Sequence, residues 1–173
     1  MSYSIQDYPV KPALEKISRH DKLPKGAVEL GRCFDATDGK MLYVLVKRRE
    51  YLSILVSWEH PVTHKYSCKQ FDFPLKVLSW FPKALEDFRK PPAEGGLHAG
   101  GMTSADEAVD GEMHCVQSGT EGYFLVNRSR QSPLGFDDSY SPTDLALSYV
   151  LLYDLGFLAL FETLGEKYER GEL

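Results

Sequence analysis

The chain has 173 residues, 43% of them hydrophobic and 26% charged, values of a globular protein rather than a disordered or collagenous one. That length buries one core, or two small repeats sharing one, and excludes a pair of large domains. The formal charge of −5 argues against a generic polyanion binder, yet residues 1–90 carry 16 basic and 11 acidic side chains while residues 91–173 carry 4 and 14. A basic half and an acidic half imply one surface that meets an anionic partner and another that avoids it, or two halves that attract each other.

Cys33, Cys68 and Cys115 are odd in number, widely spaced and outside any CxxC, so neither a disulfide framework nor a zinc site is expected. The first seven residues hold no basic region leading into an apolar run, and a cytoplasmic location is expected. The stretch from Leu145 to Leu164 approaches membrane-spanning length but contains Ser148, Asp154, Gly156, Glu162 and Thr163. Charges in mid-span are costly, so a buried helix and no membrane contact are expected.

In chain order, residues 1–27 read as an N-terminal arm, in which Pro9, Pro12 and Pro24 confine any helix to residues 13–19. Residues 28–34 and 40–49 read as strands across a turn ending in Asp38-Gly39. Residues 51–58 alternate, with Leu52, Ile54, Val56 and Trp58 on one side. Residues 63–71 resume extended character after Glu59-His60-Pro61. At Phe73 the period lengthens: Leu75, Leu78, Phe81, Leu85 and Phe88 share one side of a helix over residues 74–89. Pro82 should kink that helix or divide it at Phe81.

Residues 91–108 hold Pro91, Pro92 and the glycine-rich run 95–101, a linker. Residues 112–117 and 122–128 read as a hairpin, and 129–140 as loop. Ser141-Pro142-Thr143-Asp144 reads as a helix start, opening a long apolar helix over residues 142–165 that packs on the sheet or on a second subunit. The fold class is therefore α+β: an antiparallel meander of four strands with helices packed on it, open to a degenerate second copy in residues 109–173. The two parts are expected to form one compact domain.

Gly39-Lys40-x-x-Tyr43-x-x-Val46-Lys47, Tyr51-Leu52-x-Ile54, Phe71-x-Phe73-Pro74 and the helix through Phe81–Phe88 together resemble the ββββα repeat of the single-stranded-nucleic-acid binders. That group includes transcriptional positive cofactor four, the Pur proteins and the Whirly proteins. The resemblance covers about a third of the chain; the second half shows only two clear strands, and the lysine-rich strand motif of the Whirly proteins is absent. The resemblance implies binding of single-stranded DNA or RNA on a sheet face, with a homo-oligomer assembled through the 142–165 helix.

If the first sheet has a solvated face, alternation places Tyr43, Lys47, Arg49, Tyr51, Ser53, Lys65 and Lys69 on it, with Arg48 beside them. Rings interleaved with cations suit a single strand, because bases stack on aromatics while Lys and Arg track phosphates. The plainer reading of the same residues is an edge-covering pair of tyrosines and a solvated Lys-Arg-Arg turn.

No catalytic, metal or cofactor set is expected. His60 and His64 lie four apart but around Pro61, which favours a turn over a metal-binding helix. His114 and Cys115 point to opposite faces of a strand. The glycine run lacks the phosphate-binding lysine motif, leaving His98 as its one reactive side chain. Asp106, Glu107, Asp110, Asp137 and Asp138 read as solvated acids. The reading from a different class is a protein–protein adaptor or inhibitor, such as an immunity or accessory protein of a mobile element. The acidic half and the apolar 142–165 segment favour it.

Overall fold

The computed structural model describes residues 10–37, 39–94, 96, 102–132 and 141–173. It is an α+β protein with two antiparallel four-stranded sheets, each a simple meander. The first comprises β1 (Ala27–Asp35), β2 (Met41–Arg48), β3 (Tyr51–Glu59) and β4 (Tyr66–Pro74), followed by helix α1 (Val77–Arg89). The second comprises β5 (Glu107–Val109), β6 (Glu112–Ser118), β7 (Gly122–Gln131) and β8 (Pro142–Ser148). A π-helical turn, Val150–Asp154, then leads into helix α2 (Phe157–Glu169).

The alternation in β3 has the consequence expected of a pleated strand. Leu52, Ile54 and Val56 enter the main core with Phe71 and Phe73 of β4, while Leu55 enters a second cluster on the opposite face. α1 buries Val77, Leu78, Phe81 and Leu85, each worth about 1.5–3 kcal/mol when fully removed from water. The two helices join the halves. Phe81 of α1 meets Phe161 of α2 edge-on, with ring centroids 5.5 Å apart. α1 also reaches the second sheet through Trp80 on His114 and Phe88 on Tyr123. α2 reaches the first sheet through Phe157 on Tyr43.

Pro82 lies inside one continuous α1 rather than between two helices. Having no N–H, it leaves the Leu78 carbonyl without its usual donor. Gly165 of α2 sits against that carbonyl, so closely that a Cβ on Gly165 would lie 2.5 Å from Leu78 O. The glycine is what lets the helices cross here.

The second half departs from the sequence expectation. Residues 142–148 form β8, not the start of a helix: Thr143, Leu145 and Leu147 are buried while Asp144 and Ala146 are exposed. That period of two outweighs the capping signal, and Pro142 takes the first strand position, where its missing donor is tolerated. β8 pairs along β7, so the second sheet has four strands where two were clear, with β5 starting in the last two residues of the segment expected to be linker. The long helix is replaced by strand, π turn and α2, with Gly156 at φ 87° between the last two. At the other helix, Pro74 ends β4 opposite Tyr51 and α1 starts three residues later.

Candidate functional site: a basic pocket at the first hairpin

The expected wet face of the first sheet does not exist, because residues of the arm cover it. Ile17 packs on Val44, Val46 and Leu55, with Leu23, Leu42 and Cys68 around them. The arm is held by polar side chains that the same face presents. Leu14 N–H donates to Asp72 Oδ2 at 2.9 Å and Ile17 N–H to Gln70 Oε1 at 2.8 Å. Ser53, fully buried, donates to Asp72 Oδ1 at 2.7 Å. These groups would be costly to bury unpaired; the arm backbone and each other satisfy them.

The seven sequence-selected residues consequently divide. Tyr43 is 7% exposed and lies in the main core, edge-on to Phe157; it is not an outward stacking ring. Lys47 and Lys69 pair with Leu52 and Val56, so both sit on the helix side of the sheet, with the Lys69 ammonium 5.2 Å from the Trp58 ring centroid. Lys65 is in the β3–β4 loop, one full strand length, roughly 25 Å at ~3.3 Å per residue, from the β2–β3 hairpin. Odd positions thus do not face outward together. The run Met41–Val46 is apolar on both parities because both faces of β2 are covered.

Arg48, Arg49 and Tyr51 do come together. They line a pocket of about 450 Å³ with Lys25, Gly26, Ala27 and the arm residues Leu14, Glu15 and Pro24. Arg48 Nη1 donates to the Glu15 carbonyl at 2.7 Å, tying hairpin to arm. Arg49 occupies the turn at φ 59°, a left-handed conformation that a non-glycine residue adopts at some cost. The Arg130 guanidinium covers one face of the Tyr51 ring, 4.8 Å from its centroid.

The pairing of the arginines singles out this pocket. Arg19, Arg32, Arg128, Arg130 and Arg170 each bind a carboxylate, and Arg89 lies over Tyr153. Arg48 and Arg49, alone among the eight arginines of the chain, have neither a carboxylate nor a ring as partner among the described residues. Lys25, beside them, also has no ion pair there. Three cations outside any ion pair among the described residues, lining one concavity with the single carboxylate of Glu15, leave a net positive charge for an anion.

Behind Tyr51 lies a buried ion pair that the sequence gives no means to find. Arg130 and Glu112, their side chains 4% and 1% exposed, meet at 2.7 Å. Asn127 donates to the same carboxylate at 3.1 Å, and Arg130 Nη1 donates to the Pro12 carbonyl at 2.8 Å. Lys11 N–H donates to Ser129 O. The second half therefore clamps the arm that forms one wall of the basic pocket.

The remaining reactive side chains have structural partners. His60 sits in a turn, its Nδ1 accepting from the backbone N–H groups of Val62 and Thr63, and His64 meets Glu59. His114 is buried against Phe73 and Trp80, and burial pushes its pKa down to about 4. Burial pushes the Cys115 thiol up to about 11. Asp106 pairs with Arg128 and Glu107 accepts from Trp80 Nε1, so neither is a merely solvated acid. No group of three or more His, Cys, Asp or Glu side chains among the described residues is placed to hold a metal ion. No helix among them is long and apolar enough to cross a membrane. His98, Asp137 and Asp138 lie outside the described residues.

No protein-family profile matches the chain, and no curated protein matches it.

Proposed function

We propose that the protein is a non-enzymatic binder of single-stranded DNA or RNA, acting without a cofactor and centred on the first hairpin rather than on a sheet face. The observation that carries this reading is the pocket that Arg48, Arg49 and Lys25, none of them in an ion pair among the described residues, line together with Tyr51. Cations hold phosphates and the ring stacks a base, the combination that sequence-tolerant single-strand binding uses. The ββββα plan of residues 27–89, followed by a second four-stranded meander and helix, supports the resemblance to that group of binders. The acidic second half is then the surface that nucleic acid avoids.

Fluorescence anisotropy with a short labelled oligonucleotide, repeated over a range of salt, tests it. Wild-type affinity should fall with salt, with a log–log slope of about −0.7 per neutralised phosphate. Arg48→Gln/Arg49→Gln should weaken binding at least tenfold and flatten the slope by one to two phosphate equivalents. Unchanged affinity and slope in a folded double variant reject the pocket.

A specific surface favours a second reading, a protein-binding adaptor. Tyr149, Val150 and Tyr153 are exposed on the π turn. Tyr149 stands edge-on to Tyr123, and Arg89 lies over Tyr153. Tyrosine and arginine are the residues that dominate protein–protein interfaces. A protein partner whose binding is lost on Tyr149→Ala/Tyr153→Ala, with oligonucleotide binding absent from the wild type, would establish this reading instead. Self-association lost in the same variant would make the partner a second copy.

A further inference from the structure

We infer that the hairpin pocket takes the phosphorylated end of a strand, a terminal phosphate monoester with its adjacent base, rather than the interior of a strand passing through. The inference rests on the nucleic-acid reading above and adds the ligand class of the same site.

Three features carry it. The pocket is built from three separate segments: Leu14 and Glu15 of the arm, residues 24–27, and Arg48, Arg49 and Tyr51 of the hairpin. The Arg48 hydrogen bond to the Glu15 carbonyl ties the hairpin to the arm beside the cations. Next, Tyr51 has only one ring face available, since Arg130 occupies the other. A ring covered on one side stacks a single base; it cannot insert between two. Finally, the charge is concentrated. Lys25, Arg48 and Arg49 stand against the single carboxylate of Glu15 in the lining. A monoester carries close to two negative charges at neutral pH, about twice that of an internal diester, and offers three acceptor oxygens to such a cluster. Arg48 retains Nε and Nη2 for it, because Nη1 alone is engaged by described residues.

The test compares four forms of one oligonucleotide by anisotropy against the full chain: 5′-phosphorylated, 3′-phosphorylated, hydroxyl at both ends, and circular. One of the two phosphorylated forms is expected to bind at least tenfold tighter than the hydroxyl form, with the circle no better than the hydroxyl form. The variant Arg49→Gly should erase that preference. Glycine adopts the φ 59° turn freely, so its thermal midpoint should not fall and misfolding is not an explanation. Equal binding of all four forms overturns the end-binding inference while leaving single-strand binding intact. No binding of any form overturns both.

Discussion

The two central hairpins occupy equivalent places in the two meanders, and they differ in nearly everything that matters for an anion. The β2–β3 hairpin, with Lys47-Arg48-Arg49 at its turn, borders a pocket of about 450 Å³ walled by the arm. The β6–β7 hairpin, with Ser118-Gly119-Thr120-Glu121, borders one of about 180 Å³ whose lining contains Glu121 and no cation. The backbone plan alone does not make the candidate site. The first hairpin borders the larger, cationic pocket because a separate segment folds against it, and the second half supplies the clamp that holds this segment.

Glu112→Ala should break the comparison most severely. It removes the carboxylate that the buried Arg130 is hydrogen-bonded to, at a cost of about 3–5 kcal/mol, measurable as a lowered urea midpoint. Because Arg130 also holds Pro12, limited proteolysis should cut first within residues 13–25. Cutting elsewhere first would show that the clamp is not what holds the arm.

Acid should act next, through the second half. The folded-state pKa of His114 is about 4 against an ordinary 6.5, so below pH 6.5 the unfolded chain takes up a proton that the native state refuses. Stability should therefore fall as pH drops from 6.5 to 4 and level off below, by about 3 kcal/mol at most. His114→Gln should flatten that limb of the stability–pH curve. A limb unchanged in the variant would assign the acid sensitivity to other groups.

Gly165→Ala sharpens the comparison at the helix crossing that joins the halves. The added Cβ meets backbone at Leu78 and Ser79, and overpacking of that kind costs about 1–3 kcal/mol, read from chemical denaturation. The smallest effect belongs to Glu121→Arg, which gives the second hairpin a cation but no arm wall. Oligonucleotide affinity should rise less than twofold; a gain approaching the loss seen on neutralising Arg48 and Arg49 would show that charge suffices without the pocket.

Much of this architecture is legible in the residues. The first meander, α1 and the β6–β7 hairpin follow from period and turn chemistry. β8 was legible too, in the alternation Thr143, Leu145, Leu147, but Ser141-Pro142 imitates a helix start and the apolar run continues to Leu164. The side-chain parity at the first hairpin departs from simple alternation for a physical reason. Met41–Val46 has no polar alternate, the mark of a strand covered on both faces, and its second cover comes from Ile17, which no local pattern links to it. Arg48, Arg49 and Tyr51 were recognisable as a cation–aromatic group at one turn. Lys25, Arg130 and Glu112 join them only through tertiary packing, which spacing does not encode.

Photo-crosslinking to an oligonucleotide carrying a 5-bromouracil at each end in turn, followed by peptide mapping, tests the central claim most directly. The adduct should fall on peptides containing Lys25 or Arg48 to Tyr51, and free phosphorylated oligonucleotide should compete it away. Adducts concentrated at Tyr123, Tyr149 or Tyr153 instead, with the first hairpin unmarked, would contradict the account.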